Sequence, residues 1–230
     1  MKNKILTVIY AVALFFFIIT FAIALPIYCR FFYYLHINPL DIPSATGRTY
    51  EQIKLSYDQL LNYLTLPGRP FMAGDFEVSA NATYHFAECK NLFTLNLVVL
   101  LVSFATMGTL LILSKVKVIK LCQPFGMDAS IFSAVTVFAV AILLAIAVSI
   151  DFDKAFTVFH KIFFPSNEYW YFEPWEEIIY IFPVEFFLNC AILIGCAIFL
   201  PSTGIIVCQI IKKRKNSAKM KNFDKNVDKG

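Results

Sequence analysis

Charge is scarce in this chain. Only 16% of its 230 residues are Asp, Glu, Lys or Arg, 59% are hydrophobic, and the mean hydropathy is +0.67. A soluble domain carries about a quarter charged residues, so one water-soluble core is excluded. Histidine is scarcer still, at His36, His85 and His160. The cysteines Cys29, Cys89, Cys122, Cys190, Cys196 and Cys208 form no CxxC pair and no CxxC…HxxxH spacing. That removes the usual zinc site, and neither a metal nor a cofactor is expected. GxSxG, a glycine-rich phosphate loop and an activated-cysteine signature are missing too. The basic residues sit at membrane-flanking positions, so nucleic acid is not an expected partner.

Long uncharged runs fill the space that charge leaves. They cover about residues 5–29, 91–114, 129–150 and 186–211. Each matches the roughly 20 residues a helix needs to cross about 30 Å of hydrocarbon. Unpaired backbone groups are not tolerated in lipid, so helices are the reading. The first run is too long for the apolar part of a signal peptide and no small-x-small cleavage site follows it, so it reads as an uncleaved span. Pro201 and Gly204 are expected to bend the fourth. The fold class is therefore a mainly α membrane protein: four transmembrane helices and an extracytoplasmic cap built from the loops at 30–90 and 151–185. Residues 1–211 read as a single integral membrane domain and 212–230 as a basic tail. No charge interrupts the spans, which weighs against an ion-coupled transporter.

Lysine and arginine set the orientation. Lys2 and Lys4 precede the first run, Lys115, Lys117 and Lys120 lie between the second and third, and a basic cluster from Lys212 to Lys229 follows the fourth. Residues 151–185 are acidic by comparison. The expectation is a multi-pass protein of the cell membrane with both termini cytoplasmic. Its tail reads as a flexible anchor attracted to anionic membrane lipid. Only Cys29 and Cys89 then meet an oxidising exterior, and free thiols are expected there.

Inside the first outer loop, Tyr50, Ile53, Tyr57, Leu60, Leu61 and Leu64 recur at three- and four-residue steps. That spacing predicts a helix over 49–66 with one apolar face. Thr49 or Ser44 caps its start, and Pro67-Gly68 stops it. Packing against the rest of the protein is the favoured fate of that face.

The residues with chemistry gather in the two outer loops. Imidazole exchanges a proton near neutrality. His85 has Glu88 three residues on, on the same helical face, where a carboxylate can orient the ring. His160 opens a stretch in which Tyr169, Trp170, Tyr171, Phe172 and Trp175 alternate with Glu168, Glu173, Glu176 and Glu177. Such a loop reads as a shaped pocket with polar edges or as an interfacial aromatic belt. His36, followed by the turn signal Asn38-Pro39, is the weakest of the histidines. On residue types alone, a satisfied polar pair at a helix entrance is the favoured reading of His85 with Glu88, and an interfacial histidine with its ring at the membrane edge is that of His160, each ahead of a catalytic one.

Two blocks carry a resemblance. One is His85-Phe86-Ala87-Glu88-Cys89-Lys90-Asn91-Leu92-Phe93. The other is Phe159-His160-Lys161-Ile162-Phe163-Phe164, with Trp170, Phe172, Pro174, Pro183 and Phe186-Phe187. Together with the order of spans and loops they resemble a family of bacterial four-span membrane proteins that includes the lipoprotein intramolecular transacylase. The resemblance implies an acyltransferase whose partner is a diacylated lipoprotein. It moves the sn-2 acyl chain of the diacylglyceryl group to the amine of the N-terminal cysteine. It further implies that His85 and His160 are catalytic, with Glu88, Trp170, Tyr169, Phe159 and Phe163 supporting them. The alternative is a non-catalytic membrane scaffold whose aromatic cap binds lipid or a partner. Oligomeric state stays open.

Overall fold

The computed structural model describes residues 3–123, 128–166 and 168–227, with side chains as far as Lys215. Lys2 and Lys229, which entered the charge asymmetry, lie outside the described residues. In chain order come α1 (Lys4–Tyr28), α2 (Arg30–Ile37), α3 (Ile42–Thr46), α4 (Tyr50–Thr65), α5 (Ala80–Lys115), α6 (Ala129–Ile150), α7 (Phe152–Phe163), a 3-10 helix (Glu177–Ile181) and α8 (Val184–Val227). Among the described residues there is no strand. The segments Lys4–Tyr28, Ala80–Lys115, Ala129–Ile150 and Val184–Lys215 are long and apolar enough to cross a membrane. These are the four expected spans, and the fold is the expected mainly α one.

The helices differ from expectation at their ends. α5 begins at Ala80, well before the uncharged run, because Ser79 Oγ accepts the Ala82 N–H at 3.1 Å and caps the start. The first turns of α5 therefore carry His85, Glu88 and Cys89 on one continuous helix. The tail, expected to be flexible, continues α8 to Val227. Residues 212–227 contain neither Gly nor Pro, and their lysines, arginine, alanine and methionine are good helix formers. α7 was not expected at all. Asp151 caps it, accepting the Lys154 N–H at 2.9 Å.

The chain divides into two compact units. The first comprises 1–19, 101–142 and 196–230. Here α1 and α6 approach closely through small residues, as helices in lipid do. Ser133 Oγ donates to the Ala11 carbonyl at 2.9 Å, Tyr10 Oη and Ser130 Oγ are 2.9 Å apart, and Ala134, the residue after Ser133, is fully buried. The segment before α6 is tied to α1 as well: the Cys122 N–H donates to Thr7 Oγ1 at 2.7 Å and the Asn3 N–H to the Lys120 carbonyl at 3.2 Å.

The second unit comprises 20–100 and 143–195. Its core joins α2, α3, α4, the head of α5 and the 3-10 helix through Tyr33, Ile37, Ile42, Ile53, Leu60 and Ile178, all of them fully buried. Each such aliphatic side chain contributes roughly 1.5–3 kcal/mol by leaving water. The apolar face of α4 packs inward, as its spacing predicts. Thr49 and Gln52 form a capping box at its start. Tyr33 stacks on Tyr57 with ring centroids 3.8 Å apart and donates its hydroxyl to the Ile181 carbonyl at 2.8 Å. Arg30 fixes α2 to α4 by donating to Asp58 at 2.8 Å and to Asn62 at 2.7 Å. This core holds the head of α5 in place, and with it the first of the candidate site residues.

Candidate active site

His85 and His160 meet. Their ring centroids lie 5.9 Å apart, and the residues are 6% and 7% exposed. His85 comes from the second turn of α5 and His160 from the last turn of α7. Two polar rings buried this deeply need compensation, and their partners define the site.

On His160 the Nδ1 donates to the Phe156 carbonyl, one turn back on α7, at 2.8 Å. A carbonyl oxygen only accepts, so Nδ1 carries the proton, and in the neutral ring the lone pair belongs to Nε2. Burial pushes the His160 imidazole below its ordinary value, and the Phe156 hydrogen bond opposes that only in part. His160 is therefore a neutral ring with a preset tautomer. On His85, Nε2 sits 3.4 Å from Cys89 Sγ and Nδ1 sits 3.9 Å from Glu88 Oε2. The first is a sulfur hydrogen bond. The second is too long for a hydrogen bond but close enough for a carboxylate to act on the ring electrostatically.

Aromatic rings enclose the pair. Phe164, 4% exposed, meets His85 edge-on at 4.6 Å and lies 5.6 Å from His160. Trp170 is 5.0 Å from His160, Phe156 4.1 Å, and Phe172 5.8 Å from His85. Such walls keep water out and strengthen every polar contact within them.

Of the residues named from sequence, His85, His160, Glu88 and Trp170 come together. Phe159 reaches His160, with ring centroids 5.3 Å apart, and Phe163 stands one ring further out, 4.7 Å from Phe159. Tyr169 pairs edge-on with Tyr84, the neighbour of His85, at 5.3 Å. His36 is elsewhere, bonded to the Phe32 carbonyl and packed on Phe32 and Phe186. Sequence reasoning missed Cys89, Phe156 and Phe164 as site residues, and had Phe172 only as one ring of the aromatic loop. Cys89 had a signal in its position one helical turn after His85. Phe164 and Phe172 had none beyond membership in the aromatic blocks. All six cysteines, Cys29 and Cys89 among them, are free thiols.

Comparison with known proteins gives consistent matches. The family model described as lipoprotein intramolecular transacylase Lit matches residues 8–187. The chain is similar to the in meso structure of the membrane integral lipoprotein intramolecular transacylase Lit from Bacillus cereus, at 26% identity and TM-score 0.79, over 94% of this chain and 96% of that one. Structures of that protein with one histidine replaced by arginine or by alanine match at 26% identity and TM-score 0.75, covering 93% and 92% of this chain and 93% and 94% of those. No curated protein sequence matches.

Proposed function

We propose, since the chain belongs to the lipoprotein intramolecular transacylase family, that His85 and His160 carry the proton transfers by which an acyl chain migrates within one lipoprotein. The chain is a multi-pass membrane acyltransferase. The observation that carries the residue assignment is the burial of the two imidazoles 5.9 Å apart inside one aromatic enclosure.

The donor is the sn-2 ester of the diacylglyceryl group on the N-terminal cysteine, and the acceptor is that cysteine's α-amine. An α-amine has a pKa near 8, so much of it is protonated at neutral pH and cannot attack. In our reading the neutral amine attacks the ester carbonyl and His160 Nε2 takes the proton that this nitrogen sheds. The new N–C bond forms as the C–O bond to glycerol breaks. His85 donates a hydrogen bond to the tetrahedral oxyanion, with Glu88 orienting its ring, and the proton that His160 took is returned to the leaving glyceryl oxygen, so both imidazoles end neutral as they began. The products are an amide on the cysteine and a free sn-2 hydroxyl, with no net proton gained or lost. Donor and acceptor are already tethered, so the enzyme supplies alignment and a dry site and needs no acyl-enzyme. The exposed apolar side chains Val158, Phe159, Ile162 and Phe163 on α7 provide a ledge for acyl chains leading to His160.

Mass spectrometry of a lipoprotein N-terminus tests the reading. In a host lacking other N-acylating enzymes, expression of this chain is expected to convert diacylglyceryl-cysteine into its N-acylated lyso-form. An unchanged acyl position would favour the non-catalytic scaffold instead. We further propose that both termini face the cytoplasm and that the histidine pair lies on the outer side. A Ser166→Cys variant should then react with a membrane-impermeant thiol reagent added to intact cells, and reaction only after lysis would reverse the orientation.

A further inference from the structure

The first unit holds a cavity of about 740 Å³ that the acyl-transfer chemistry does not use. Lys115, Lys117, Lys120 and Lys212 line it, against a single carboxylate, Asp128. Among the described residues none of these lysines forms a salt bridge. Lysines on a convex solvated face would spread apart to reduce their repulsion. Here they surround a concavity.

The walls of that concavity are built rather than loose. Lys117 is held at a left-handed φ of 63°, a conformation uncommon outside glycine. Its N–H donates to the Ser114 carbonyl at 3.2 Å, and the next two N–H groups converge on the Leu113 carbonyl at 3.0 and 3.3 Å. The bonds from Asn3 to Lys120 and from Cys122 to Thr7 pin the segment to α1. The hydroxyl pair of Tyr10 and Ser130 forms part of the lining, and the amides of Gln123 and Gln209 add donors. Donors on a fixed frame around unpaired positive charge make an anion site. The cavity sits where α1 and α6 begin and α5 ends, at the tips of membrane-crossing helices, which is the level of lipid headgroups.

We propose that this cavity binds a phosphate group, supplied by the phosphodiester of an anionic phospholipid such as phosphatidylglycerol. The lysine ammoniums neutralise the phosphate while hydroxyl and amide donors hold the glycerol or water around it. The site is independent of the acyl-transfer reading and stands or falls separately from it.

Native mass spectrometry of the full-length protein released from detergent tests it, with phosphatidylglycerol, phosphatidylcholine and inorganic phosphate as probes. Wild type is expected to retain phosphatidylglycerol about tenfold better than phosphatidylcholine. The triple variant Lys115→Gln, Lys120→Gln, Lys212→Gln should lose that preference. The same three positions changed to arginine should keep it, which separates lost charge from lost folding. Changes of Lys219, Lys221 and Lys225 to glutamine should leave it untouched, which separates the cavity from the tail. If millimolar phosphate displaces the lipid and is itself retained, the site takes soluble phosphate; if it does not compete, the lipid is the ligand. Equal retention of the two lipids together with no retained phosphate overturns the proposal. So does an undiminished preference in the glutamine triple variant.

Discussion

Replacing His160 with alanine is expected to lower N-acylation by roughly 10²–10⁴-fold, the range that a positioned general acid or base contributes. The argument starts from the Nδ1 bond to the Phe156 carbonyl at 2.8 Å, which leaves Nε2 as the only lone pair on the ring. His160→Gln is the sharper variant. Its amide can still donate to that carbonyl and fills much of the ring's volume, yet it accepts no proton at neutral pH. Alanine and glutamine should therefore lose similar activity, and a glutamine variant within threefold of wild type would remove the base role. Added imidazole should restore part of the alanine variant's rate. His85→Ala is expected to fall in the same range, and the double variant little further, because groups that act as one unit are not additive. The pH profile carries an independent check. Catalysis needs the unprotonated ring, and burial lowers the value for His160. The substrate amine must be unprotonated too, so activity should rise with pH through its value near 8, in wild type and in the His160 variants alike. Below that limb the wild-type rate should follow the amine alone as the pH falls through the ordinary imidazole value of about 6.5, and steepen only below it, where the buried ring takes its proton. A second steepening centred at or above about pH 6.5 would contradict this.

The parts of this fold that are legible in the sequence are those governed by one strong constraint. Four runs without charge can only be spans, because an unpaired backbone or a bare charge is too costly in hydrocarbon. α4 is legible because Ile53, Tyr57, Leu60, Leu61 and Leu64 repeat at the helical period and all face one core. α7 has the helical period without the core. Its apolar stripe of Val158, Phe159, Ile162 and Phe163 stays exposed, so no core demands it, and only Asp151 separates it from the span before. The site divides in the same way. Glu88 beside His85 follows from helical spacing. The meeting of His85 with His160, 75 residues later in the chain, follows from no local pattern and came only from resemblance to a family. Phe164 and Cys89 show why: each matters through a distance to an imidazole, which residue type does not encode.

Gly74→Ala is expected to be among the most damaging substitutions outside the histidine pair, although it adds one methyl group far from the chemistry. Gly74 adopts φ +63°, and a Cβ there would stand 2.0 Å from Ser56 Oγ, 3.0 Å from Ser56 Cβ and 3.2 Å from Ser56 Cα. The hydroxyl could rotate, but Ser56 is 1% exposed and its Oγ already donates to the Gln52 carbonyl at 2.8 Å. The backbone contact cannot be relieved by rotation. Strain from the left-handed backbone costs about 1–2 kcal/mol, and overpacking costs about 1–3 kcal/mol more. The same close approach lets the Gly74 N–H reach Gln59 Oε1 at 2.8 Å, and separating the strands of chain would lose that bond too. The loop it seats runs directly into α5, and its Phe71 packs on Phe86, the neighbour of His85, with ring centroids 5.9 Å apart. Loosening the loop therefore reaches the site. The apparent unfolding temperature in detergent should drop by roughly 5–15 °C at about 2–4 °C per kcal/mol, with N-acylation falling alongside. Ser56→Gly combined with Gly74→Ala removes the two shortest contacts, with Oγ and Cβ, and keeps the contact with the Cα and the backbone strain. The double variant should thus recover more than half of the loss. If the double variant is no more stable than Gly74→Ala alone, close packing against α4 is not what Gly74 provides.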